Sequence, residues 1–255
     1  MTTKGMTLNR LSAAAAALVL SCLPLQAADD DACYVPPFLV EPQAALHRVA
    51  EAVKRDNKLS IAIVSGSPSQ VGGTKGRRSY PSYLEAALKK RMPDIEVKID
   101  VRAKARRPAA DLLKLLPGIA EESVPSLVIW QIGTVDALQQ TDVDAFARTV
   151  EQGLAAIADR GADAVLLNMQ YSPRTDRLVD YASYLDTIRE AADTAEVPLF
   201  DRYEIMRYWN VAGTFDLTSL RDDGLYEKIH TCIGELLADF ILRGAGMKES
   251  KGIGG

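Results

Sequence analysis

Lys58-Leu59-Ser60-Ile61-Ala62-Ile63-Val64, followed at once by Ser65-Gly66-Ser67-Pro68-Ser69, is the stretch that decides the fold. An apolar, β-branched run of this length, stopped by glycine, serine and proline, reads as a strand covered on both faces. The same signal recurs downstream. Residues 95–101 alternate, 126–131 (Ser-Leu-Val-Ile-Trp-Gln) form an apolar run, as do 164–168 (Ala-Val-Leu-Leu-Asn), and 197–200 make a short fourth repeat. Helical spacing fills the intervals: 41–55, 80–91 with Pro81 in the first turn, about 108–120, 142–160 behind Thr141 as N-cap, 178–194, 202–209 and 223–242. Strand and helix alternate throughout. That order predicts an α/β protein of the three-layer, flavodoxin-like kind, with helices on both faces of a parallel sheet of about five strands. In such sheets ligands bind beyond the carboxyl ends of the strands. The loops that matter are therefore those after Val64, Val101, Gln131 and Asn168.

The N-terminus stands apart from this pattern. Lys4 and Arg10 precede an apolar, alanine-rich run from Leu11 to Leu25, and small residues at Ala27 and Ala28 precede Asp29-Asp30-Asp31. This is the layout of a secretory signal peptide over residues 1–28, and it places the mature chain in the periplasm or outside the cell. Val19-Leu20-Ser21-Cys22 loosely matches a lipobox, so lipid anchoring at Cys22 is a minor alternative. Residues 29–57 are a lead-in and helix, 58–243 the main domain and 244–255 a flexible tail. Removing 1–28 takes away two positive charges and no acids, so the formal −4 of the full chain becomes −6. That balance excludes a generally basic nucleic-acid binder. No segment of the mature chain is long and apolar enough to span a bilayer. Cys33 and Cys232 remain, and an oxidising compartment favours a bridge between them. It would tie the N-terminal segment to the last helix.

Three landmarks give the chain a resemblance to the SGNH/GDSL hydrolases. Ser65-Gly66-Ser67-Pro68-Ser69 stands where that family has Gly-Asp-Ser. Trp130-Gln131-Ile132-Gly133-Thr134-Val135-Asp136 looks like its Gly-x-Asn-Asp block. Glu227-Lys228-Ile229-His230 stands where it has Asp-x-x-His. The resemblance covers roughly 58–243. It implies an ester hydrolase, a serine esterase or O-deacylase, needing no cofactor. Ser67 would be the nucleophile, His230 the base, and Glu227 or Asp223 the acid that orients it, with Gly133 and Asp136 in the oxyanion and substrate loop. Ser69 is an alternative nucleophile. A register pinned on Gly66 puts Pro68 at the nucleophile position instead. The departures are specific. Gly66 replaces the family aspartate, Val135 replaces the asparagine, and residues 102–107 (Arg-Ala-Lys-Ala-Arg-Arg) lack the usual oxyanion glycine. Backbone N–H groups at Ser67 or Lys104 are left to do that work.

A second signal is independent of the family. Lys75, Arg77 and Arg78 lie in the loop after the first strand. Arg102, Lys104, Arg106 and Arg107 follow the second, and Arg174 the fourth. All belong to one edge of the sheet, so they form a candidate clamp for a carboxylate, phosphate or sulfate on a small-molecule, glycan or lipid ester. Two histidines and two mature cysteines give no ligand-spaced metal motif. Gly66, Gly72, Gly73 and Gly76 lack phosphate-loop spacing. Two functions follow: an exported ester hydrolase, or a binding module on the same fold whose catalytic set has eroded.

Overall fold

The computed structural model describes residues 1–2, 32–66, 78–116, 124–218 and 223–247. Five strands form one parallel sheet: β1 (Lys58–Ser65), β2 (Glu96–Ala103), β3 (Leu127–Gln131), β4 (Asp163–Leu167) and β5 (Leu199–Phe200), in the order β2-β1-β3-β4-β5. Nine α-helices accompany them among the described residues, with one short 3-10 turn at Pro37–Leu39. They are α1 (His47–Asp56), α2 (Tyr80–Arg91), α3 (Ala109–Leu113), α4 (Thr134–Leu138), α5 (Val143–Ala158), α6 (Pro173–Asp176), α7 (Ala182–Thr194), α8 (Arg202–Val211) and α9 (Asp223–Gly244). The α/β class and the parallel sheet are as the alternation predicts.

The sheet order dictates the layers. The chain leaves β1 toward β2 through α2, then returns past β1 and proceeds through β3, α5, β4, α7 and β5. Right-handed crossovers running in opposite directions put their helices on opposite faces. Helix α9 packs against α2, and α5 packs against α7. The central strands are accordingly apolar on both faces: Ile61 to Val64 and Leu127 to Trp130 are all buried. The edge strand β2 keeps an alternating pattern with its charged residues outward.

Register carries the strand ends to one line. Ser65 pairs with Ala103 on one side and Gln131 on the other; Gln131 pairs with Leu167, and Leu167 with Phe200. The direction of winding reverses between β1 and β3. That is the switch point at which α/β sheets open a crevice.

Several predicted boundaries move, each for a local reason. The first helix begins at His47, not Glu41, where the Asp163 carboxylate reaches across from β4 and accepts the Val49 N–H at 2.9 Å. Helix α5 is capped by Asp142, whose side chain accepts the Ala145 N–H, and not by Thr141. The predicted 178–194 helix begins at Ala182, as α7, and the separate short helix α6 precedes it. Within the described residues the 108–120 helix is the short α3. The predicted bridge is present: Cys33 and Cys232 form a disulfide. No helix among the described residues is long and apolar enough to cross a membrane.

Candidate active site

Eight buried polar or charged side chains stand out among the described residues: Ser65, Ser79, Gln131, Asp136, Asn168, Ser172, Arg202 and His230. Burying such groups is costly unless they are bonded, so their placement is informative. Seven of them end a strand or lie in the segment leading from it, and the eighth, His230, reaches in from α9. All eight therefore belong to the carboxyl edge of the sheet.

The β1 exit is closely packed. Lys104 N–H donates to the Ser65 carbonyl at 3.0 Å, and Arg106 N–H donates to the Gly66 carbonyl at 2.9 Å, with Arg106 in the left-handed region (φ 57°). These bonds draw the β2–α3 loop over Gly66. A Cβ on Gly66 would lie 2.2 Å from the Arg107 carbonyl oxygen. The family aspartate therefore has no room here on this backbone. The same bonds correct the expectation for Lys104: its N–H is spent on Ser65 and is not an oxyanion donor. Gly66, Arg107 and the turn Gln131 to Asp136 wall a crevice of about 10 Å³, room for about one water.

Gly133 opens that turn with φ 93°. Asp136 lies three residues on, nearly fully buried (2% exposed), and its Oδ1 accepts the Ala109 N–H at 2.9 Å. Burial pushes its carboxyl above the usual aspartate range, against the pull of backbone bonds from Ala109, from its own N–H and from Gly133. Asp136 thus braces α3 against α4. Asp136 stays in the loop that walls the crevice, with its carboxylate engaged by the Ala109 N–H.

His230 lies on α9, and its Nδ1 is engaged differently from that of a serine-activating base. Its Nδ1 accepts the Tyr80 N–H at 3.1 Å. Tyr80 is the first residue of α2, and the N-cap Ser79 makes no side-chain cap bond. His230 therefore caps α2 from 150 positions away. Gly234, one turn later, permits the approach: a Cβ there would lie 2.6 Å from Tyr83 Cβ and 2.7 Å from Leu84 N. With Nδ1 accepting, the neutral ring carries its proton on Nε2. A serine-activating histidine needs the other tautomer, with Nδ1–H on the acid and Nε2 open to the serine. The ring lies against Tyr226, 4.1 Å between centroids, and parallel to Tyr80 at 6.4 Å.

Glu227, the proposed orienting acid, faces elsewhere. Its Oε1 accepts the Tyr83 hydroxyl at 2.9 Å and meets Arg78 at 3.8 Å, while Arg78 also stacks over the Tyr83 ring. Asp223 sits exposed in the first turn of α9, two turns before His230. Ser67, Ser69, Lys75 and Arg77 lie outside the described residues. Among the remaining candidate cations, Arg102 pairs with Asp100 at 2.8 Å and Arg107 with Asp111 at 3.2 Å. Lys104, Arg106 and Arg174 are exposed. Three of the six described candidate cations, Arg78, Arg102 and Arg107, are thus held in ion pairs with acids.

The edge also holds residues that sequence reasoning missed. Tyr80 Oη donates to Gln131 Oε1 at 3.1 Å. Arg202, 2% exposed, donates from Nη2 to the Asn168 carbonyl at 2.8 Å; burial pulls its pKa down to about 10, against the Tyr80 and Tyr181 hydroxyls. Asn168 accepts the Tyr203 N–H and donates to Asp201. Gln131 and Asn168 each close an apolar run with an amide, and that polar stop was the available signal.

The sequence profile of the non-GDSL lipase-like family matches residues 32–247. The chain belongs to the non-GDSL lipase-like family. Solved structures share the fold at low identity. The crystal structure of TesA superposes with a TM-score of 0.53 at 16% identity, over 71% of this chain and 99% of that one. Axe2, an acetylxylan esterase from Geobacillus stearothermophilus, gives 0.57 at 15%, over 74% and 95%. LAE5, an alpha/beta hydrolase enzyme from the metagenome of Lake Arreo, Spain, gives 0.57 at 19%, over 74% and 95%. Among curated proteins none matches the sequence. The absent aspartate at Gly66 accords with the family's name, and the fold accords with the SGNH-type resemblance.

Proposed function

We propose that this member of the non-GDSL lipase-like family is an exported ester hydrolase acting at the carboxyl edge of its sheet. The observation that carries the reading is the confinement of the eight buried polar residues among the described ones to that edge, which includes the β1/β3 switch point. Ser67, the first serine beyond Gly66, is the nucleophile, and His230 is the base. Ser67 Oγ attacks the ester carbonyl, and its proton passes to Nε2. The imidazolium then protonates the departing alkoxide, and water repeats the sequence on the acyl-enzyme. For this to occur, His230 must leave the Tyr80 cap and carry its resting proton on Nδ1. The fold is shared with Axe2, which has been solved also as catalytic mutants replacing a serine and a histidine. The signal-like N-terminus and the Cys33–Cys232 bridge support export. An anionic glycan or lipid ester remains the substrate class that the surviving exposed cations suit.

A second reading is favoured by two bonds, His230 Nδ1 with Tyr80 N–H and Lys104 N–H with Ser65 O. Both engage groups that hydrolysis needs. On this reading the chain binds an anionic ligand and does not turn it over. A fluorophosphonate probe separates the two. Adduct on Ser67, lost in Ser67→Ala and in His230→Ala, supports hydrolysis. No adduct on any serine, with no turnover of p-nitrophenyl esters, overturns it in favour of binding.

A further inference from the structure

A cavity of about 670 Å³ lies along α9 on a different side from His230. Leu225, Lys228 and Cys232 line it from α9, and Phe215 and Cys33 line it from outside that helix. At 100° per residue, these α9 positions face nearly opposite His230. Both halves of the disulfide therefore form part of the wall of an open cleft.

The two halves are not equivalent. Cys232 is 3% exposed, whereas Cys33 is partly exposed. Cys33 is thus the half of the bridge more open to the cleft. Lys228 is one helical turn before Cys232, a separation that sets Cβ atoms about 5–6 Å apart. We propose that Cys33–Cys232 is a thiol-exchange site, addressed through this cleft by a small thiol. The thiolate attacks Cys33 Sγ, the Cys33–Cys232 bond breaks, a mixed disulfide forms on Cys33, and the electron pair leaves on Cys232 Sγ as a thiolate. One disulfide is exchanged for another, so no oxidant or further reductant is required. A nearby ammonium favours a departing thiolate, and a better leaving group departs faster. The N-terminal segment has other holds on the domain. Trp209 Nε1–H donates to the Tyr34 carbonyl at 3.1 Å, and the Tyr34 ring meets Tyr208 edge-on. These contacts keep Cys33 near its partner after opening, which makes the exchange reversible.

The test uses the mature, oxidised chain in native buffer with 2-mercaptoethanol, a neutral thiol that the cleft acids Asp216 and Glu227 do not exclude. Peptide mapping after acid quench should find the adduct on Cys33 and a free thiol at Cys232, with the far-ultraviolet spectrum unchanged and the bridge restored on removing the thiol. Lys228→Gln, at an exposed position, should slow exchange about threefold. A bridge that opens only in denaturant, or an adduct on Cys232, overturns the proposal. An unaltered rate in Lys228→Gln overturns the leaving-group assignment.

Discussion

Replacing His230 separates its structural work from any catalytic work. The ring fills a slot between Tyr226 and Tyr80 and supplies the acceptor for the Tyr80 N–H. In His230→Ala that buried N–H loses its partner, at about 1–3 kcal/mol. The lost ring leaves a cavity that adds about 1 kcal/mol or more. The expected loss is about 3 kcal/mol, which for a domain of this size lowers the melting temperature by roughly 6–12 °C. His230→Asn keeps a short side-chain acceptor for the same N–H and should recover about half of the loss. Calorimetry or urea unfolding of the three proteins reads this directly. If alanine and asparagine variants both stay within about 0.5 kcal/mol of the parent, the cap carries no weight in stability. Ester turnover in the same set adds the functional half. Asparagine repairs a cap but cannot accept a proton from serine, so stability that recovers while activity stays lost marks the ring as the base.

The disulfide and Asp136 give two further expectations. Opening a loop with a sequence separation of 199 in the Cys33→Ser/Cys232→Ser double variant removes about 5 kcal/mol by the chain-entropy relation, hence roughly 10–20 °C in melting temperature; a shift under about 3 °C would contradict that account. For Asp136, a carboxyl raised by burial favours the fold while protonated, so its contribution is full below the unfolded value near 3.8 and declines as pH rises through the higher folded value. The stability gap between the parent and Asp136→Asn should therefore narrow from about pH 3.5 to pH 7 in urea titrations; a gap that widens has the sign wrong.

The fold was legible because the central strands are covered on both faces. A doubly covered strand must be apolar at every position, and Ile61 to Val64 and Leu127 to Trp130 show this without reference to the rest of the chain. Helix ends were less legible, since partners distant in sequence set them. Asp163 fixes the start of α1 from a strand more than 100 residues later. Likewise Ser79-Tyr80-Pro81 reads as a serine-capped start, yet the acceptor is an imidazole from the last helix. The departure at Gly66 was visible in sequence, but its cause was not. The Arg107 carbonyl that leaves no room for a Cβ arrives from a loop 40 residues on. The positive edge was overread for a related reason. Counting Arg102 and Arg107 without Asp100 and Asp111 leaves out ion pairs that hold part of that charge.

The two functional readings can be weighed by magnitude. Freeing His230 from Tyr80 costs the bond it now makes, about 1–3 kcal/mol, or roughly 5–150-fold in rate if it must be met on every turnover. A substrate that packs against the edge can offset a penalty of that size with its own binding energy. The oxyanion side is harder to offset. Each missing donor costs about 10²–10³-fold. Here the family asparagine is Val135, the glycine loop is replaced, and Lys104 N–H already serves Ser65. The imidazole is thus a modest obstacle and the donor supply a large one. The fate of the Lys104–Ser65 bond on ligand binding tests whether the edge can supply a donor beside the Ser67 N–H. A Lys104 amide that exchanges with solvent no faster when a phosphonate ester is bound would count against hydrolysis.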